Sequence, residues 1–357
     1  MEKLHIIFGG ASVEHDVSII TALQTYNALK DKYDIVLIYC SRDNRFFLST
    51  MTTTNDYIDK DDIIKKSAQV AIFDKGLYKV KKNKLKYIGE INRVVNCCHG
   101  GIGEDGRLAA LLDCNNIVST SAGSVASGVC MNKEYSKLIA QSLNIPIVDY
   151  VVVDSCCDLQ NKVADLGENL IVKPCSLGSS IGVLKSNLRQ VKDDVDVVLH
   201  LDNRVLIEKE ISPLVEYNCA VIRDGDNILL SQIEQPVNKS DILSFEDKYI
   251  ATERTRIIPA EIPKEREEQI YEYSKKIYQH LNLNGVVRID YLYSKEEDKV
   301  YFNEINTIPG SLAYYLFEGL GISYIKLMEI LIRNAKTSTL QPYFSSNILT
   351  NLKEIGK

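Results

Sequence analysis

Apolar positions in this chain fall into short continuous runs separated by amphipathic stretches. "LHIIF" near the N-terminus reads as a buried strand, "GGASVEH" as a turn, "VSIITALQTYNALK" as a helix and "YDIVLIYC" as a second buried strand. A strand–helix–strand succession predicts a parallel sheet with helices on its faces. Residues 42–90 are more polar and contain an expected hairpin, "LYKVKKNKLKYI", which reads as an insertion or edge feature. "INRVVNCC" is a further strand, followed by the loop "HGGIGEDG" and a helix in "RLAALLDCN". The first domain is expected to span residues 1–122.

A helix is predicted in "NKEYSKLIAQSL", then strands in "DYVVV" and "NLIVKP" and a loop, "CSLGSS". Residues 123–207 therefore read as a second, smaller α/β unit. Antiparallel-type strands in "RVLIEKEI", "EYNCAVIR" and "ILLSQIEQ" begin a third unit, assigned to 208–335. It continues through a polar loop at 238–256, a helix at 264–281, strands in "GVVRIDYLY" and "KVYFNEIN", and a helix near 322–335. The tail at 336–357 is polar and receives no role. No internal repeat or low-complexity segment interrupts the pattern.

Composition narrows the class. With 357 residues, 45 % apolar and 25 % charged, the chain has the profile of a soluble globular protein of two or three domains. No apolar run reaches the roughly 18 residues of a membrane span, and "MEKLHIIFGG" lacks the regions of a signal peptide. A net charge of −6 argues against a nucleic-acid partner. The nine cysteines form no C-x-x-C pair and several sit in apolar runs, which fits free thiols in a reducing cytoplasm. "CCH" at 97–99 is a poor metal site, because adjacent strand residues face opposite ways.

Candidate chemistry concentrates in "YFNEINTIPG", where Glu304 and Asn306 lie two apart on an apolar strand. Solvent exposure alone explains such a pattern, since strands alternate faces. The preceding strand changes the balance. In "GVVRIDYLY", Arg288 and Asp290 also lie two apart, and the short polar turn "SKEEDK" lets the strands pair antiparallel. Asp290, Glu304 and Asn306 then converge as oxygen ligands suited to Mg²⁺, with Arg288 beside them to meet a phosphate or an oxyanion. "IVKPCSLGSSIGV" places Lys173 before a Gly/Ser loop whose N–H groups can cradle phosphate, although most such loops are only flexible turns. It is not a P-loop, because the lysine precedes it. In "FGGASVEHDVS", Glu14 is either a helix-start carboxylate or a receiver of a substrate ammonium. In "HGGIGEDG", His99 stands at a strand end while Glu104 and Asp105 organise the turn.

Taken in order, "FGGASVEHDVS", "HGGIGEDGRL", "MNKEYSK", "IVKPCSLGSSIGV", "VLIEKEI", "EDKY", "RIDY" and "NEINTIPG" resemble the D-alanine–D-alanine ligases of the ATP-grasp superfamily, from residue 4 to about 335. The resemblance implies an α/β ATP-grasp fold of three parts, the first a parallel-sheet pre-ATP-grasp domain. It implies ATP and two Mg²⁺ ions as cofactors, with Mn²⁺ able to substitute, small amino-acid substrates, a homodimer and a cytoplasmic location. By motif, Lys133, Lys173 and Lys248 are implied as ATP ligands, Glu208, Lys209 and Ile211 as the adenine hinge, and Glu216 as the ribose carboxylate. Asp290, Glu304 and Asn306 are implied as the metal ligands, and Arg288 and the Gly310 N–H as the oxyanion pair. Glu14 is implied to hold the first amino acid's ammonium, with His99 near its carboxylate, and Ser179 and Tyr249 to complete a Glu–Ser–Tyr link.

The implied activity is ATP-dependent joining of two D-alanines through an acyl phosphate, for peptidoglycan precursor synthesis. Two departures stand out: Asn132 where the family usually has Asp, and Tyr315 where it has a Ser that binds the second substrate's carboxylate. The second departure leaves open a ligase of the same class with a different acceptor amino acid. Tyr249, where depsipeptide-forming relatives carry His, implies an amine acceptor. A non-catalytic nucleotide binder would lack the lysines or the metal set, and a dinucleotide oxidoreductase would carry G-x-G-x-x-G; neither is seen.

Overall fold

The computed structural model describes residues 1–58, 60–82, 84–237 and 255–335. Lys248, Tyr249 and the tail at 336–357 therefore lie outside the described residues. The N-terminal sheet comprises β1 (Glu2–Gly9), β2 (Tyr33–Cys40), β3 (Phe46–Ser49), β4 (Ala68–Phe73), β5 (Gly76–Lys81), β6 (Lys84–Glu90), β7 (Arg93–Asn96) and β8 (Val118–Ser119). Their spatial order is β6-β5-β4-β3-β2-β1-β7-β8. The strands β2, β1, β7 and β8 pair in parallel, as continuous apolar runs buried on both faces should. The polar stretch from β3 to β6 extends that sheet antiparallel, and its last two strands are the expected hairpin.

A second, antiparallel sheet has the order β11-β10-β12-β9. Its strands are β9 (Tyr150–Val153), β10 (Asn169–Pro174), β11 (Leu184–Asn187) and β12 (Val205–Lys209). Helix Val191–Leu199 covers it, burying Val191, Val195 and Val198 against Leu170, Val172 and Ile207.

The third sheet, also antiparallel, has the order β14-β13-β17-β18. It contains β13 (Leu214–Asp224), β14 (Asn227–Leu230), β17 (Val287–Ser294) and β18 (Lys299–Asn306), while β15 (Gln235–Val237) and β16 (Thr255–Ile257) form a separate ribbon. Helix Lys264–His280 packs Ile270, Ile277 and Tyr278 onto it.

Two features locate the site. Helices Ser124–Met131 and Lys133–Ser142 pack on β18, burying Cys130 and Ala140 in the core that holds Val287 and Phe302. Residues 124–142 thus belong with the third sheet by packing, although their sequence position suggests the central unit; the bridge Ile147↔Phe302 reinforces this. The boundary expected at 207/208 falls inside β12. Secondly, Ile308, Leu312, Leu316, Phe317 and Met328 share one core with Leu4, Ile6, Phe8 and Leu23. The segment after β18 is therefore anchored to the N-terminal domain, and all three sheets meet around residues 304–315.

Candidate active site

Asp290 pairs with Glu304, and Arg288 with Asn306, across β17 and β18. Directly paired residues share a face, and i, i+2 residues share it too, so all four side chains emerge together. Arg288 donates from Nε and Nη2 to the two Asp290 oxygens, at 2.7 Å each, and Asn306 Nδ2 donates to Asp290 Oδ2 at 2.9 Å. Burial works against the Arg288 charge, but Asp290 overrides it and holds the guanidinium firmly protonated. A β-bulge after Asp290 leaves Asn303 as the extra residue on β18.

Lysines approach this face from the helical and central layers. Asn132 caps helix Lys133–Ser142 by accepting the Glu134 and Tyr135 N–H groups; Asn and Asp serve this position equally well, which explains why the departure there is tolerated. Lys133 begins that helix, and its ammonium lies 2.5 Å from the Leu177 carbonyl and 3.6 Å from Glu304. Lys173, at the end of β10, donates to Asn303 at 3.3 Å and pairs with Glu208 at 2.5 Å. The Glu208 carboxylate also takes Lys137, at 2.5 Å, and Lys137 is wholly buried. Sequence reasoning did not single out Lys137. Glu208's side chain thus serves two lysines within the protein. Lys209 faces outward to Glu297 at 2.9 Å and lines, with Ile211 and Tyr301, a cavity of about 90 Å³. Glu216 lies on β13, two residues before Asn218, which pairs with Asp290.

The N-terminal domain supplies the opposite wall. Ser179, one of two successive serines in left-handed backbone in the Gly/Ser loop, donates to Glu14 at 2.5 Å. A side chain at Gly100, itself at φ +63°, would strike the Glu14 carboxylate at 2.9 Å, so glycine is required there. His99 is buried; its Nδ1–H donates to the Ile308 carbonyl at 2.6 Å, so neutral Nε2 accepts from Thr21, 2.7 Å away. Burial lowers its pKa and keeps it neutral against the pull of Glu14. Glu104 does more than organise its turn. It accepts the Gly100 N–H at 2.9 Å and, from the far domain, the Ile308 N–H at 3.0 Å and the Thr307 hydroxyl at 3.3 Å.

Gly310 opens a 3₁₀ segment through Leu316, and the space where its side chain would stand is empty of protein atoms within 4 Å. Ser311, Leu312 and Ala313 follow at φ +49°, +53° and +48°, costly for L-residues and held by the surrounding core. Tyr315 then turns its hydroxyl to Glu234, 3.0 Å away, and Arg256 lies 4.4 Å over its ring. Neither Glu234 nor Arg256 is marked by any local sequence pattern.

Asp290, Glu304 and Asn306 offer hard oxygen donors on one face, a set that fits a divalent cation that keeps waters and binds substrate phosphates. Asp290 is gripped by Arg288 through both oxygens, whereas Glu304 meets the Lys133 ammonium at the longer distance of 3.6 Å. Two buried carboxyls set opposite pH dependences. Burial, then the charge of Glu14, pushes Glu104 up to about 7. Burial pushes Glu208 up as well, but Lys137 and Lys173 outweigh it and hold it at about 2. Glu104 binds its proton more tightly when folded, so its contribution is present below the ordinary carboxyl value of 4.5 and is lost as pH rises through about 7. Glu208 contributes above 4.5 and loses that contribution as pH falls towards about 2. Burial lowers the pKa values of His5, to about 4, and of His99, so these two pull stability the other way over the same range and the Glu104 part shows as a difference: the melting temperature of Glu104→Gln should rise more steeply with pH than that of the wild type between about 4.5 and 7. An unchanged slope in the variant would show that Glu104 does not titrate in this range.

Comparison with known proteins agrees with this layout. Residues 3–122 match the family model described as D-ala D-ala ligase N-terminus, and residues 139–333 match D-ala D-ala ligase C-terminus. A D-alanine–D-alanine ligase of Thermosipho melanesiensis is 34% identical over 346 residues, 93% of each chain. One from Helicobacter pylori strain J99 is 34% identical, covering 95% of this chain and 96% of its own. The crystal structure of the Helicobacter pylori D-alanine–D-alanine ligase superposes with a TM-score of 0.77 at 31% identity, covering 95% of this chain and all of that one.

Proposed function

Because this chain belongs to the D-alanine–D-alanine ligase family, we propose a division of labour among its site residues. The chain is an ATP-dependent, ADP-forming ligase with the ATP-grasp fold, joining two D-alanines for peptidoglycan precursor synthesis. The observation that carries the residue assignment is the Asp290–Glu304 cross-strand pair, with Arg288 on the same face and Lys133 and Lys173 reaching it from two other elements.

Lys133 and Lys173 hold the ATP phosphates, while Lys209, Ile211 and Glu216 line the nucleoside side. Asp290, Glu304 and Asn306 hold the divalent metal, as two ions, which when bound neutralises phosphate charge and orients the γ-phosphoryl group. Glu14, fixed by Ser179, receives the first D-alanine's ammonium, and neutral His99 lies beside its carboxylate. That carboxylate attacks the γ-phosphate and gives an acyl phosphate and ADP. The amine of the second D-alanine then attacks the acyl carbon, displacing phosphate. Arg288 and the Gly310 N–H face the oxygen that gains charge. Lys248 and Tyr249 are assigned by motif alone. No helix among the described residues is long and apolar enough to cross a membrane. The family resemblance supports a homodimer, and the nine free cysteines, six of them buried, support a cytoplasmic location.

The direct test is ADP release with D-alanine as sole amino acid, with the product identified by mass. D-alanyl-D-alanine and stoichiometric ADP are expected; absence of both sinks the assignment. Removing the Ser179 hydroxyl frees Glu14 from its donor across the domain junction. Ser179→Ala should raise the KM of the first D-alanine roughly tenfold, the worth of a hydrogen bond to a charged group. The KM for ATP should stay within about twofold. Equal changes in both constants would show that Ser179 serves the fold rather than Glu14.

A further inference from the structure

Resting on the ligase reading above, we infer that Arg256, stacked on Tyr315 and steered by Glu234, is the cation that binds the carboxylate of the acceptor D-alanine in this chain. The small hydroxyl that the family usually places at the position of Tyr315 is absent here. Arg288 is committed elsewhere, with two of its N–H groups on Asp290 at 2.7 Å each. An acceptor whose amine is deprotonated for attack carries a net negative charge on its carboxylate, and this wall of the site must meet it with a donor-rich cation.

The geometry supplies one. Glu234 is 5% exposed and bridges by its backbone to Asn218, which pairs across the sheet with Asp290. Its carboxylate accepts from Asn218 Nδ2 at 3.1 Å and from the Tyr315 hydroxyl at 3.0 Å. Burial raises the Tyr315 pKa, and Glu234 raises it further, so the phenol stays protonated and donates. Arg256 lies with its guanidinium 4.4 Å from the Tyr315 ring centroid, and its Nε is 3.7 Å from Glu234. That separation is loose for an ion pair, and the Arg256 side chain keeps 31% exposure. The stacked guanidinium is oriented by the ring and only partly neutralised, so its remaining N–H groups can grip a carboxylate as a fork. The charge of Glu234 also adds, after that of Asp290, to holding Arg288 protonated, so Glu234 and its partners lie close to the arginine assigned to the reacting centre. Tyr315 thus replaces a direct hydroxyl contact with a platform for an arginine.

The test is steady-state kinetics on the full-length enzyme with D-alanine, resolving the first and second D-alanine constants, and with D-alaninamide as an acceptor that lacks the carboxylate. Arg256→Gln should raise the second D-alanine KM tenfold or more, while the first constant and the ATP KM stay within twofold. The same variant should show no such loss with D-alaninamide. A penalty equal for D-alanine and D-alaninamide, a rise shared by all three constants, or no rise at all would overturn the inference. If Arg256→Gln does not fold, Arg256→Lys decides, because it keeps the charge and loses the fork. A threefold or larger rise in the second constant alone supports the assignment, and wild-type constants overturn it. Failure of the wild-type enzyme to ligate D-alanine would instead strike the ligase reading, so the two failures are distinguishable.

Discussion

Glu304→Ala should lower turnover by about a thousandfold or more while leaving the fold standing. The side chain points from β18 onto the open face of the third sheet and is 21% exposed, so its loss leaves no cavity in the core. The carboxylate across from it, Asp290, is engaged by Arg288 through both oxygens. Without Glu304 the metal face keeps one carboxylate, already neutralised, and one amide, and a divalent cation has little charge to bind there. Lys133 also loses the carboxylate 3.6 Å away that helps aim its ammonium at the phosphates. The check pairs ADP release with a melting curve. Loss of activity at an unchanged melting temperature is expected; near-normal turnover would show that Glu304 is not a metal ligand.

The part of this site that could be read from the sequence was the part built on local periodicity. Arg288 and Asp290 lie two apart, Glu304 and Asn306 lie two apart, and a short polar turn joins their strands. Alternation therefore suffices to put four side chains on one face. Lys173 before the Gly/Ser loop and Glu14 at a strand–helix junction were legible for the same reason, since each stands where a regular element ends.

Relations between distant segments were not legible. Glu208 reads as one polar residue at the end of an apolar strand; its two lysine partners come from a helix starting at Lys133 and from β10. Glu104 looks like turn chemistry and is that, yet it also accepts the Ile308 N–H, 204 residues away. The bulge that offers Asn303 to Lys173 has no sequence signature. Helix Ser124–Met131 has small, weakly periodic residues that mark no element in the sequence; packing on β18 makes it a helix of the third unit. Glu234 and Arg256 stand 22 residues apart in sequence, on either side of the polar loop, and only the fold brings them to Tyr315.

The second large effect concerns Lys137, which touches neither open face. It is fully buried, 2.5 Å from Glu208, with its ammonium 5.5 Å from the Tyr150 ring centroid. Burial pulls its pKa down and Glu208 pulls it back up, so the ammonium is held in the core by that carboxylate. Removing one member of a buried ion pair strands the other, which typically costs about 3–5 kcal/mol. Here Lys173 still faces Glu208, at 2.5 Å, so Lys137→Met should fall at the lower end, about 3 kcal/mol. For a chain of 357 residues that is a fall in melting temperature of roughly 4 °C. The functional effect should be indirect. With Lys137 gone, Glu208 pulls harder on Lys173, whose ammonium also reaches Asn303 beside the metal face. The KM for ATP should then rise about threefold to tenfold, with the D-alanine constants little changed. Lys137→Met/Glu208→Leu separates the two effects, since it removes the stranded charge and also frees Lys173. It should recover much of the lost stability and, with Glu208 no longer drawing Lys173 away, bind ATP better than Lys137→Met alone. A single variant that melts with the wild type would mean that Lys137 is not held in the core as an ion, and that Lys173 alone keeps Glu208 ionised.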